Sequence, residues 1–401
     1  MSIEYLPVGI ACNLKCEYCY QDPMRDASNI TTKIDWSAAR AQLEKENYNF
    51  TVFGGEPLLA PIEHLEEVFK FGFEKFGSNG IQTNGALITE QHIELFKKYK
   101  VSVGLSLDGP DVMNLARCDE PTTLLIHMNI ELLCRAGVIP SVIITLNKHN
   151  FDTRRMILWI QYLEALGIQH LNFHILETEL GRENLALTNA QNVIMFSHLY
   201  EYSKTSKITI QPFRDIERLL LQEDADKVSC IWNACDPITT NAVHGVAPDG
   251  TRSNCGRTNK DGVNWVKAET AGSERYLILH QTPQAFGGCK DCRFFAFCKG
   301  QCPGTAIDND WRNRTVHCKV WYTLFEMVEK DILLSARLPA SRNPTERRLL
   351  ERKVVSQWTG SNSHGDSPHG DSPHGDAHGD SAHQDNHGDS DRRNGIEVTW
   401  I

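Results

Sequence analysis

The chain has 401 residues, enough for two or three domains, with apolar and charged fractions of 41% and 23% that suit an ordinary globular protein. A net charge of −10 argues against nucleic-acid binding, which leaves a basic footprint, and no apolar run is long enough for a membrane span. The opening "MSIEYLPVGIA" has neither a basic region nor a long apolar stretch, so no signal peptide is expected; thirteen cysteines in a chain expected to be cytoplasmic point to metal ligation, not disulfides.

Residues 1–175 alternate two patterns. The predicted strands are "EYLPVGI", "NFTVFGG", "GIQTN", "VSVGLSL", "PSVIITL" and "HLNFHIL". The predicted helices between them are "DWSAARAQLEKEN", "PIEHLEEVFKFGFEKF", "TEQHIELFKKYK", "TLLIHMNIELLCRAG" and "TRRMILWIQYLEALG", with apolar positions such as Ile93, Leu95 and Phe96 beside Lys97 and Lys98. Strands interleaved with helices imply right-handed β-α-β units and a parallel sheet, whose reactive groups gather at the carboxyl ends of the strands.

Those ends carry the unusual residues. The first strand leads into "CNLKCEYCY", with Cys12, Cys16 and Cys19. Three thiols are too few for a closed zinc tetrahedron or a fully ligated iron–sulfur cube. They suit a cube with one open iron, or half of a zinc site completed from elsewhere. The second strand ends in "GGEP", Gly54 to Pro57, where paired glycines allow a backbone to approach a ligand closely. The third ends in "QTNG" and the fourth in "SLDGP", in which Ser106 and Asp108 are expected on one side. Taken singly, each reads equally well as a turn.

Residues 188–222 read as two helices. Residues 230–318 are rich in Cys, Gly and Asp. "HGVAPDGTRSNC" reads as a hairpin with Gly250 at a positive-φ position. "CKDCRFFAFCKGQC" spaces Cys289, Cys292, Cys298 and Cys302 as Cx2Cx5Cx3C, and Cys318 follows. Such runs ending in Cx3C are used by ferredoxins; a pair of zinc knuckles is the alternative. Residues 319–357 are helical again. After Gly360 comes "HGDSPHGDSPHGDAHGD", a composition that cannot build a packed core.

The CxxxCxxC run of Cys12, Cys16 and Cys19, with Tyr18 before its last cysteine, together with "GGEP", resembles the radical S-adenosylmethionine (radical SAM) superfamily over residues 5–175 or so. That resemblance implies a partial (β/α)6 TIM-like barrel of the α/β class. It implies a [4Fe–4S] cluster on the three cysteines, whose open iron chelates the amino and carboxylate groups of S-adenosyl-L-methionine (SAM). Gly54, Gly55 and Glu56 would contact the SAM amino group, and Ser106 and Asp108 its ribose. The implied chemistry is reductive SAM cleavage to a 5′-deoxyadenosyl radical that abstracts hydrogen from a C–H bond.

The cysteines from Cys235 to Cys318 resemble the SPASM extension, a small α+β domain with two auxiliary [4Fe–4S] clusters, which makes three clusters in all. By that resemblance Cys235, Cys255 and Cys302 serve the first, and Cys289, Cys292, Cys298 and Cys318 the second. The first is one ligand short; Cys230 either supplies it or is a buried thiol. Cys118 and Cys134 read as structural. The implied organisation is a radical SAM core over 1–225, a SPASM domain with a C-terminal helix over 226–357, and a low-complexity tail over 358–401.

The resemblance extends to peptide maturases, including cyclophane-forming enzymes of ribosomal-peptide pathways. It implies a peptide or protein substrate, an electron donor such as flavodoxin or ferredoxin, and neither nucleic acid nor membrane as a partner. Two departures stand out. Gly256 occupies the position where sulfatase-maturing members carry an Asp base after their equivalent of Cys255, which disfavours sulfatase maturation. The core also begins within about ten residues of Met1, so no leader-gripping domain is expected ahead of it. The tail repeats His-x-Asp six times, from His364–Asp366 to His387–Asp389. This resembles the aromatic-x-Asn/Asp triplets that cyclophane-forming maturases cross-link, so the tail reads as a substrate in cis. An inert acidic tail and metal binding by its imidazoles are the alternatives. Other classes kept open are a small-molecule radical SAM enzyme, an iron–sulfur electron carrier and a metal-handling protein.

Overall fold

A computed structural model describes residues 2–28, 33–177, 183–223, 228–240, 242–258, 268 and 272–359. The six predicted strands appear as β1 (Ser2–Tyr5), β2 (Phe50–Val52), β3 (Asn79–Thr83), β4 (Val101–Ser106), β5 (Ser141–Leu146) and β6 (His170–Ile175). They join β7 (Thr209–Gln211), β8 (Val243–Val246) and β9 (Arg252–Ser253) in a sheet ordered β7-β6-β5-β4-β3-β2-β1-β8-β9. Every pairing is parallel except that of β8 with β9. This is the expected α/β architecture of a partial barrel.

The crossovers are helices: α1 (Asp22–Asp26) and α2 (Trp36–Glu46) after β1, then α3 (Ile62–Phe76), α4 (Glu90–Lys98), α5 (Glu120–Arg135) and α6 (Thr153–Ala165). α3 shows why they form. It buries Leu65, Val68, Phe69 and Gly72 at helical spacing and stops at Gly77 with φ +76°. Asp119 and Asp152 accept hydrogen bonds from the first-turn amides of α5 and α6, and Thr89 forms a capping box with His92 on α4.

α7 (Asn189–Ser203) and α8 (Phe213–Leu221) follow β6, separated by β7. Three residues are too few to display an alternating pattern, so β7 escapes a reading by periodicity. β1 is also shorter than predicted. The chain leaves the sheet at Leu6, where Pro7 cannot donate to a ladder, and turns through Gly9 at φ +60°. That early exit makes residues 6–19 a long loop at the carboxyl end of the sheet.

The Cys-rich segment holds the short helices α9 (Glu274–Gln281) and α10 (Phe295–Cys298), followed by α11 (Cys318–Leu334) and α12 (Pro344–Thr359). Its hairpin β8–β9 forms as expected, with Gly250 at φ +82°. β8 also pairs with β1, so the segment expected as a second domain extends the core sheet directly. A Cβ at Gly250 would sit 2.6 Å from the backbone of Ala38 on α2, so the turn needs glycine for closeness as well as for φ. Trp321 on α11 stacks obliquely on Phe196 of α7 and edge-on against Trp232, which locks α11 onto the core. No helix among the described residues is long and apolar enough to cross a membrane. The His-x-Asp repeats lie outside the described residues.

Candidate active site

The carboxyl ends of the strands surround a cavity of about 160 Å³. Cys12, Cys16 and Cys19 line one side, Gly54, Gly55 and Ser106 another, and Cys255 with Arg257 a third. Thus six of the eight residues expected around cluster and SAM share one space, and the Cys-rich segment closes it.

The glycine pair earns its place differently from the expectation. The amides of Gly55 and Glu56 donate to the carbonyls of Gly9 and Ala11 at 3.1 and 2.8 Å. A Cβ on Gly54 would lie 2.3 Å from the Gly9 oxygen, and one on Gly55 2.2 Å from the Ala11 oxygen. The close backbone approach is therefore to the cysteine loop itself. Gly54 and Gly55 hold that loop while still lining the cavity.

Glu56 and Asp108 are turned inward. Glu56 is fully buried, and its carboxylate accepts from Leu58 N, Thr83 Oγ1 and Asn84 N at 3.0, 2.6 and 2.7 Å. Burial pushes its pKa up to about 7 against those bonds. Asp108 is also fully buried and accepts from Tyr18 Oη, Arg117 Nε, Thr145 N and Asn147 Nδ2. Ser106 borders the cavity, its Oγ accepting from Gln82 Nε2 at 2.8 Å, while Asp108 lies behind its partners Tyr18 and Arg117, which do border it. The two carboxylates brace strand ends: Glu56 joins the second to the third, and Asp108 joins the fourth to the fifth and to the cysteine loop.

Several site residues gave no motif. Arg25 Nη2 donates to Cys19 Sγ at 2.7 Å, and its Nη1 donates to Ile10 O at 3.0 Å. Arg117 lies over the Tyr18 ring at 5.4 Å. Arg257 stacks over Tyr20 at 5.4 Å and donates to His174 Nδ1 at 2.9 Å. Glu4 borders the same cavity, and burial pushes it up to about 7, with Arg257 opposing. A carboxylate between Ile3 and Tyr5 on β1 was its one visible signal.

The later cysteines separate into two groups. Cys289, Cys292, Cys298 and Cys318 line a single small cavity with Phe294 and Phe325. Cys230 is perturbed by Cys235 and Cys302, and Cys255 by Cys230 and Cys302, so these four thiols stand together. Cys230 thus stands near the three thiols expected for the first auxiliary cluster. Cys118 lies by contrast among Asn114 and Thr123. Arg275, fully buried, donates to the carbonyls of Cys235, Gly300, Gln301, Trp311 and Asn313 and feels thiols of both groups. It is the fastener of the Cys-rich segment.

None of the thirteen cysteines is in a disulfide. Among the described residues, no three His, Cys, Asp or Glu side chains close on a single ion. Burial pushes Cys16 and Cys289 up to about 12 and raises Cys12 and Cys302. Metal binding here must therefore displace protons. The donor set fits iron–sulfur clusters.

A parallel partial barrel with a three-thiol loop at its carboxyl mouth is the arrangement expected of a radical SAM domain. Residues 6–160 match the radical SAM superfamily. The chain is 24% identical over 338 residues to a cysteine-type anaerobic sulfatase-maturating enzyme of Clostridium perfringens, covering 75% of this chain and 88% of that one. The structure of native anSMEcpe with bound AdoMet and Cp18Cys peptide is similar in fold, with a TM-score of 0.62 at 21% identity over 84% of this chain and 99% of that one. SuiB of Streptococcus suis bound to precursor peptide SuiA shares the fold with a TM-score of 0.51 at 14% identity, over 79% and 75% of the two chains. Residues 6–160 are a radical SAM domain, in a chain homologous to anaerobic sulfatase-maturating enzymes.

Proposed function

We propose that this enzyme is a radical SAM/SPASM maturase that oxidatively modifies a peptide or protein. Cys12, Cys16 and Cys19 would hold the SAM-binding cluster, Cys230, Cys235, Cys255 and Cys302 a first auxiliary cluster, and Cys289, Cys292, Cys298 and Cys318 a second. The observation that carries this reading is one cavity bordered both by the Cys12–Cys19 loop and by Cys255. When loaded, the cofactors supply reductive SAM cleavage and hydrogen-atom abstraction from an unactivated C–H bond. The chain's own part is positioning: Arg25 donates to the Cys19 sulfur, Gly54 and Gly55 pin the loop, and the Arg257–His174 pair fixes the far wall.

Gly256 bears on the outcome. It leaves no acid at the position that follows Cys255, although Glu4 and Glu177 border the same cavity, and a Cβ there would meet the Tyr20 ring at 2.9 Å. This favours a cross-link or a new double bond over sulfatase maturation. The relatives include structures bound to peptides, which supports a peptide substrate, and the His-x-Asp repeats are our candidate for it. The test is anaerobic turnover with SAM and reductant, with flavodoxin or ferredoxin as donor, followed by tandem mass spectrometry of residues 359–401. Each closed ring should remove about two hydrogens, as loss of two C–H hydrogens to cofactor chemistry requires. An unshifted tail despite abundant 5′-deoxyadenosine would reject it as substrate and leave a peptide encoded elsewhere.

A further inference from the structure

Glu4 stands on β1 between Ile3 and Tyr5, both of which pack into the apolar core. Alternation along the strand turns Glu4 to the other side, where it borders the cofactor cavity. Its neighbour in the β1–β8 register is Gly245, which sets no side chain beside it. The residue is 3% exposed. Among the described residues it makes no hydrogen bond and no ion pair, and the cation Arg257 acts on it only through space. Glu56 and Asp108, equally buried, are wrapped in donors. A buried carboxylate that braces nothing opposes folding, so it calls for a reason other than structure.

The other acids and bases around the cavity are engaged. Glu177 pairs with Arg257 at 3.4 Å. His174 accepts from Arg257 at Nδ1, so only an N–H remains at Nε2. Tyr18 donates to Asp108, and burial keeps the Tyr20 phenol protonated. Arg25 and Arg117 only donate, to Cys19 and Asp108. Glu4 is left as the group that can take up a proton inside the cavity. Gly256 leaves the turn after Cys255 without an acid, and Glu4 brings one to the same space from β1.

We infer that Glu4 is the catalytic base of the oxidation and accepts the proton that the substrate gives up. The inference rests on the maturase reading and adds the proton acceptor which that reading lacks. An oxidative cross-link or double bond costs the substrate a pair of hydrogens. One leaves as a hydrogen atom to the 5′-deoxyadenosyl radical, which becomes 5′-deoxyadenosine. The new bond forms as the remaining carbon radical loses a proton to the Glu4 carboxylate and an electron to the [4Fe–4S] cluster expected at Cys255. Glu4 is then a neutral acid and returns its proton to solvent.

The experiment compares full-length wild type, Glu4→Gln and Glu4→Asp in D2O with SAM and dithionite. It reads the mass of residues 359–401 and the 5′-deoxyadenosine formed. Gln keeps the shape of Glu and takes no proton. Product per 5′-deoxyadenosine should fall about 100-fold in Glu4→Gln, the lower end of what a general base contributes, and Glu4→Asp should restore part of it. The stranded carbon radical then takes an electron from dithionite and a deuteron from solvent, so the Glu4→Gln tail should gain carbon-bound deuterium. A residue that merely positioned the substrate would yield neither product nor deuterium when replaced. A second readout needs no cofactor. Removing an unbonded buried charge should raise the urea midpoint of the unreconstituted full chain in Glu4→Gln at pH 8. Equal product per 5′-deoxyadenosine from Glu4→Gln and wild type would overturn the inference and leave the tail as substrate. A wild-type tail unchanged despite abundant 5′-deoxyadenosine would reject the tail instead, and stability then decides on Glu4. A raised midpoint supports the inference, and a lowered one, the mark of a carboxylate bonded into the fold, overturns it.

Discussion

Arg257 Nη2 donates to Nδ1 of His174 across 2.9 Å, joining the turn after Cys255 to the end of β6. A guanidinium only donates, so Nδ1 must accept and the ring is the neutral Nε2–H tautomer. Burial first, and then the cations Arg257 and Arg117, hold His174 well below the ordinary histidine value. The wild-type rate of SAM cleavage should therefore show no histidine inflection near the ordinary value of about 6.5. Arg257→Leu removes a cation, so the pKa of His174 should rise and shift the profile, while burial, the larger cause, still holds it below the ordinary value. An identical profile in both proteins would remove His174 from the site's electrostatics.

Gly55→Ala places a methyl group 2.2 Å from the Ala11 oxygen, closer than any real contact. The loop bearing Cys12 must move, while the sheet below it has no reason to. Iron content after anaerobic reconstitution should fall by about four atoms of roughly twelve, one cube of three. Far-ultraviolet circular dichroism should be unchanged. Full iron occupancy would show that the loop accommodates the methyl group.

Cys230 and Cys118 make a matched pair. Cys230 stands with Cys235 and Cys302, whereas Cys118 sits beside Asn114 and Thr123. Cys230→Ala should lower reconstituted iron and alter the low-temperature electron paramagnetic resonance spectrum of the reduced clusters. Cys118→Ala should change neither. Equal iron in both variants would return the first auxiliary cluster to three protein ligands.

His64 supplies a pH dependence of stability away from any cluster. Tyr5 Oη pairs with its Nε2 at 2.9 Å, and burial lowers its pKa, with Glu67 opposing. The folded state therefore takes up a proton later than the unfolded state as pH falls. The His64 contribution is whole above about 6.5, the ordinary value, and is lost as pH drops from there toward the folded value. Urea midpoints should fall between pH 7.5 and 5.5, and fall less steeply in His64→Leu. Parallel slopes would refute the assignment.

Much of this was legible in the chain. Strand ends could be placed because alternation stops at Gly54, Asn84 and Ser106, and the cysteine spacing announced its own chemistry. The direction of two carboxylates was not legible. Whether Glu56 and Asp108 face a ligand or brace strand ends depends on which amides converge on them, and those come from Asn84, Thr145 and Asn147 on other strands. The arginines were invisible for the same reason. Arg25, Arg117, Arg257 and Arg275 look like surface cations until folding places thiolates, carboxylates or carbonyls around them. The pairing of β8 with β1 was equally hidden, because a hairpin announces its turn but not the edge it joins.

The central claim is that Cys12, Cys16 and Cys19 carry the radical-generating site. The most direct measurement is 5′-deoxyadenosine formed from SAM and dithionite under anaerobic conditions. The account predicts its formation by the wild type and by a Cys289→Ala/Cys292→Ala variant, and none from Cys12→Ala/Cys16→Ala/Cys19→Ala. Undiminished formation by the triple variant, or none by fully reconstituted wild type, would contradict it.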